Sequence, residues 1–167
     1  TGMVILDGGA LTVTAQGSLF GKLMLGSTAG ASGTYSSGVN TGIDYLNVGN
    51  AGSGVFDHHA GELHIGTDVR LGNELGGDGT YTMTAGTLLL EDTTGADVIY
   101  VGKAGTGTFT QTGGVISGQN NMGFSELVLG STATGQGTFN LQYTGTETDP
   151  LRPYLITVGD EGTGTFN

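Results

Sequence analysis

The sequence predicts an all-β chain wound into a parallel β-solenoid, and three observations point there. An aliphatic-x-aliphatic-Gly stretch recurs six times, beginning at residues 23, 46, 69, 99, 127 and 156. Each copy is followed by a Gly-x-aromatic triplet, with Tyr35, Phe56, Tyr81, Phe109, Phe139 and Phe166 as the aromatics. Gly punctuates both motifs; the step from the aliphatic motif to the aromatic stays short, whereas the segment after the aromatic varies. Apolar positions held in fixed columns at such a period mark units that bury their apolar face against the next unit.

The N-terminal Gly8-Gly9-Ala10-Leu11 reads as half a unit without its aromatic, the half that recurs with Leu63, Leu88 and Ile116. Leu23-Met24-Leu25-Gly26 is the first full strand and corner, and Leu46 to Gly49 and Val69 to Gly72 follow at equal spacing. Alternation places the first and third residues of each copy on one face. The middle residues, Met24, Asn47, Arg70, Tyr100, Val128 and Thr157, form a column suited to the outside. The closing Gly is expected at a corner, where positive φ or a close neighbouring coil excludes a Cβ.

A second landmark follows the aromatic by five residues in three units, Gly61, Gly86 and Gly114, with Leu63, Leu88 and Ile116 two residues later. Each unit therefore supplies two or three short strands. Gly42 and Gly145 are out of step with this half-unit. The stretches before Ile99 and Leu127, and Glu147 to Pro150, are expected to be loops. No helix of three or more turns is expected. The whole chain, 1–167, reads as one domain of about six to seven coils, with Gly-rich corners and an internal ladder of aromatic and aliphatic side chains.

Composition narrows the function. The 35 Gly come with only two Pro, which excludes collagen, and the in-register apolar residues argue against a Gly-rich linker. Four basic residues against 15 acidic ones leave a formal charge of −11, unsuited to nucleic acid or anionic headgroups. There is no Cys for a disulfide or thiolate site. No apolar run approaches the ~18 residues of a membrane span.

Candidate sites are few. All three His fall in one unit, and alternation sends His59, Glu62 and His64 outward, which makes them the candidate ligands for a divalent metal. Gly76-Gly77-Asp78-Gly79 resembles a calcium-binding turn, and scattered acids such as Asp7, Asp44, Asp92 and Asp160 could hold structural calcium. The serial Asp pattern of calcium-binding solenoids is absent. Glu91-Asp92 and Asp160-Glu161 are adjacent pairs whose side chains diverge in an extended strand, a poor start for glycoside hydrolysis. Thr80-x-Thr82 and Thr108-x-Thr110 invite an ice-binding comparison, but the equivalent positions elsewhere break the ladder. No enzymatic activity and no cofactor is expected.

Ile99-Tyr100-Val101-Gly102, then Gly105-Thr106-Gly107-Thr108-Phe109, then Gly113-Gly114, together resemble the Gly-rich β-strand repeats of bacterial autotransporter-like surface and secreted proteins. The resemblance covers essentially the whole chain. It implies a secreted or displayed, bacterial, structural or adhesive role.

Neither end shows a polar or helical cap. The residues expected to form the open ends are Thr1, Val4, Gly8, Gly9 and Leu11 at one extremity, and Ile156, Val158, Gly159, Phe166 and Asn167 at the other. Placed end to end, the two half-units approximate a complete one, which fits either a fragment of a longer array or a subunit that stacks head-to-tail. The expectation is an extracellular structural filament whose partner is a second copy of the chain, stacked head-to-tail. A monomeric adhesin binding glycans or cells is the alternative.

Overall fold

The computed structural model describes residues 2–13, 18–91 and 97–167. Thr1 and Asp92 lie outside them. Among the described residues, seventeen strands and a single three-residue 3-10 turn make a parallel β-solenoid. In chain order the strands are β1 (Met3–Leu6), β2 (Ala10–Val13), β3 (Ser18–Leu25), β4 (Ser32–Ser37), β5 (Thr41–Val48), β6 (Ser53–His58), β7 (Glu62–Ile65), β8 (Asp68–Leu71) and β9 (Asp78–Met83). They continue as β10 (Thr87–Leu90), β11 (Val98–Val101), β12 (Thr106–Gln111), β13 (Val115–Gly118), β14 (Phe124–Leu129), β15 (Gln136–Leu141), β16 (Pro153–Val158) and β17 (Thr163–Phe166).

The coils wind around three sides. The first carries β1, the second half of β3 and of β5, then β8, β11, β14 and β16. The second stacks β2, β4, β6, β9, β12, β15 and β17. The third stacks the first half of β3 and of β5 on β7, β10 and β13. All pairs are parallel and in register, so the motif residues fall into columns. Leu23, Leu46, Val69, Ile99 and Leu127 form one inward column, and Leu25, Val48, Leu71, Val101 and Leu129 form the next. All ten are completely buried.

The aromatic column stacks as a continuous pile. Tyr35, Phe56, Tyr81, Phe109, Phe139 and Phe166 have successive ring centroids 4.9, 4.8, 4.4, 4.8 and 5.4 Å apart. Strand spacing dictates this, because neighbouring parallel strands lie ~4.8 Å apart and equal residues face each other. The first five rings are fully buried, while Phe166 is 38% exposed.

All six corner Gly adopt positive φ, between 60° and 70°. Gly49 shows the reason: a Cβ there would lie 2.2 Å from the Asp78 carbonyl oxygen of the next coil. Gly61, Gly86 and Gly114 repeat the device at the entry to the third side.

Three expectations need correction. Leu11 pairs with Tyr35, so the opening half-unit lies on the second side, with Leu11 in the aromatic column rather than among Leu63, Leu88 and Ile116. Lacking an aromatic, its Gly-Gly-x-Leu spelling imitates the third side. In the outward column, Asn47 and Val128 are covered, at 1% and 5% exposure. That face carries its own layer of side chains over the sheet. Abutting the two ends does not complete a coil either: it joins a second-side strand to a first-side strand, with no third-side strand between them. Gly42 is out of step because it sits inside β5, opposite His64, and not at a corner. The loop containing Gly145 leads to Leu151, which bridges to Ile116 in parallel fashion.

Candidate functional site

The outer surface of the first side carries the densest chemistry. Alternation turns Lys22, Tyr45 and Asp68 outward in one column and Asn47, Arg70 and Tyr100 outward in the next. The Lys22 ammonium lies 4.8 Å from the Tyr45 ring centre. On Arg70, the guanidinium carbon lies 4.6 Å from the Tyr45 ring centre and 5.9 Å from that of Tyr100. Lys103, one residue beyond a corner Gly, places its ammonium 5.2 Å from the Tyr100 ring. Three of the four basic residues of an acidic chain thus share one row, alternating with two tyrosines. Cations over ring faces gain ~0.5–1 kcal/mol each at exposed sites, more when desolvated.

Asp68 anchors the middle of the row. Its Oδ2 accepts hydrogen bonds from Arg70 Nε at 2.9 Å and Nη2 at 2.7 Å. Asp68 Oδ1 and the neighbouring Asn47 Oδ1 are buried and have no hydrogen-bond donor among the described residues. Burial, and then the Arg70 charge, hold the Lys103 ammonium below the usual lysine range, with Asp68 pulling the other way. Burial likewise raises the Tyr45 and Tyr100 hydroxyls above the usual tyrosine range.

An amide network borders the row at the corner. Asn47 Nδ2 and Asn73 Nδ2 both donate to Asn50 Oδ1, at 3.0 and 2.8 Å. Asn50 Nδ2 donates to the Ser27 carbonyl and to Glu74 Oε1, both at 3.1 Å. These bonds stitch three consecutive coils and explain why Asn47 is covered.

The three metal candidates are not gathered into one site. His59 faces Ser36 Oγ across 3.4 Å. His64 lies between two carboxylates, with Nε2 at 3.4 Å from Glu62 and Nδ1 at 3.1 Å from Glu91 of the next coil. Among the described residues no three His, Asp or Glu converge as metal ligands. Asp78, the candidate calcium residue, stands exposed at the start of β9.

His58 is the histidine that alternation sends inward. It is 1% exposed, with Nε2 3.3 Å from the Gly61 carbonyl and Nδ1 3.0 Å from the Tyr81 hydroxyl. A carbonyl only accepts, so Nε2 carries the hydrogen and Nδ1 accepts from Tyr81. Burial lowers the imidazole pKa to about 4, the Gly61 carbonyl opposing and His59 adding a smaller push in the same direction.

At the ends, Val4, Leu6 and Leu11 pack against the core from the first coil. Gly8 and Gly9 are exposed beside them. In the last coil Ile156, Val158 and Phe166 are 41%, 49% and 38% exposed, although their columns are buried in interior coils. Gly159 and Asn167 are exposed as well, and Asn167 donates to Asn140 Oδ1 at 2.9 Å.

No protein-family model matches the chain, and neither a curated protein nor a solved structure matches it.

The cation–tyrosine row escaped sequence reasoning because its members sit in three different columns. The available signal was the concentration of Lys22, Arg70 and Lys103 at outward or corner positions of nearby coils, in a chain otherwise nearly without cations.

Proposed function

We infer that the protein is an extracellular structural subunit that builds filaments by stacking coil upon coil with further copies of itself. The observation that carries this reading is the last coil. Ile156, Val158 and Phe166 belong to columns that bury completely in interior coils, yet here they are 41%, 49% and 38% exposed. Among the described residues, β16 and β17 end their sheets and β1 and β2 begin them, each with one edge left without a ladder partner. Such edges recruit further strands.

In a continued stack, β1 of a second copy pairs with β16, and its β2 pairs with β17. Column identity then sets Val4 over Ile156, Leu6 over Val158 and Leu11 over Phe166. This contact is heterologous and does not close, so its product is a fibre. The bacterial surface or matrix setting rests on the resemblance to autotransporter-like repeats and on the acidic, Cys-free composition.

Electron microscopy of the purified native protein tests the proposal. Filaments with an axial repeat of roughly 30–35 Å, seven strand spacings, support it. Discrete rods of one subunit length at all concentrations overturn it in favour of a monomeric adhesin.

A further inference from the structure

We propose that the Lys22–Tyr45–Arg70–Tyr100–Lys103 row on the outer first side is a binding surface for an acidic polysaccharide, a uronate-bearing glycan lying across the coils. The row spans four coils, about 14 Å along the axis at the ~4.8 Å strand spacing, which suits a linear polymer better than a small ion. It concentrates three of the four basic residues, offset by Asp68 and by Glu126 near Tyr100, in a chain of net charge −11. At physiological salt the repulsion from more distant acids fades over ~8 Å, so the row's own charges dominate what an acidic polymer meets here.

The placement of the cations argues for a ligand beyond mutual packing. Arg70 is neutralised by Asp68 through two hydrogen bonds. Lys22 and Lys103 have only ring faces as their recorded partners among the described residues. Both ammonium groups therefore retain donors for carboxylates. Lys103 is also set against the like charge of Arg70, a repulsion that a bound anion relieves.

The two tyrosines favour a glycan over an acidic polypeptide: between the cations their hydroxyls donate to, or accept from, sugar hydroxyls. A second copy of this chain is a poor occupant, because two surfaces of charge −11 repel laterally.

The inference goes beyond the filament reading and does not need it. In a filament the row would recur once per subunit and bind a polymer multivalently. The test therefore uses full-length protein immobilised as single molecules, with binding of a polyuronate, a neutral dextran and poly-glutamate measured by interferometry. Binding of the polyuronate that weakens with added salt, with dextran silent and poly-glutamate at least about tenfold weaker, is expected. The double variant Lys22→Gln/Lys103→Gln, which leaves the Asp68–Arg70 pair intact, is expected to lose about tenfold or more in polyuronate affinity. An unchanged circular dichroism spectrum and melting midpoint certify its fold. Undiminished binding by a folded double variant, or no polyuronate binding at low salt, overturns the proposal. Equal binding of poly-glutamate overturns the glycan assignment. The single variant Lys103→Gln gives the same readout should the double variant fail to fold. None of these outcomes bears on whether filaments form.

Discussion

Tyr81 donates its hydroxyl hydrogen to His58 Nδ1 across 3.0 Å, inside the stack and one coil away. With Nε2 committed to the Gly61 carbonyl, the buried imidazole is held neutral. Its folded pKa of about 4 lies below the ordinary value of 6.5. Between those values the unfolded chain takes up a proton that the folded chain does not. Stability from this group is complete above pH 6.5 and falls as pH drops through the window, with no further loss below about 4. Linkage gives ~1.4 kcal/mol per pH unit, about 3 kcal/mol over the window. Urea midpoints from pH 7.5 to 4 should fall more steeply for the wild type than for His58→Met, although the variant starts lower because Tyr81 loses its acceptor. Parallel curves would refute the assignment.

Phe109 is gripped on both faces, by Tyr81 at 4.4 Å and Phe139 at 4.8 Å. Replacing it with Ala opens a void that the regular coils cannot close, a cost of roughly 3–5 kcal/mol. Phe166 stacks on one face only and is partly exposed, so Phe166→Ala should cost distinctly less. Denaturant midpoints of the two monomeric variants measure the difference.

Corner glycines should differ sharply in tolerance. Gly49→Ala puts a Cβ 2.2 Å from the Asp78 carbonyl oxygen and also forces a left-handed conformation, φ 68°. The conformational part alone costs ~1–2 kcal/mol, and the clash adds to it. Gly30 shares the positive φ, 80°, but nothing lies within 4 Å of its added Cβ. Gly30→Ala should therefore lower the melting temperature less than Gly49→Ala. Equal effects would show that the close coil contact matters little.

Val158→Asp tests the stacking surface. Val158 is about half exposed in the subunit, so the charge should hardly change monomer stability. Buried against Leu6 of a following copy, the same carboxylate would be desolvated without a partner, at a cost of several kcal/mol. Sedimentation and microscopy should then show monomers where the wild type gives filaments. Filaments of normal length from this variant would place the junction elsewhere.

Fold and core were legible because a solenoid writes the same physics into every turn. Six Leu-x-Leu-Gly-type copies fix the first side, and six aromatics fix the second. Each agrees with its neighbours in register, so an ambiguous unit flanked by legible ones on both sides cannot mislead. Leu11 did mislead, because the opening unit lacks the aromatic that distinguishes the second side from the third. Asn47 was placed on the correct face but not seen as covered, since its cover comes from Asn50 and a neighbouring coil. The cation–tyrosine row was illegible for a related reason. Its contacts run diagonally between columns, and column reading alone does not show which long side chains lean towards which coil.

The parallel register gives the molecule a direction of weakness. Ladder hydrogen bonds and ring stacks join each turn to the next along one axis, and the three sides are linked around that axis by single strands of covalent chain. A pull along the chain would peel one winding from its neighbour at a time, because each is held by the same ladder bonds and ring contacts, and each release would leave the next winding as it was. Tension on such an object is met by many small, repeatable yields instead of one catastrophic rupture.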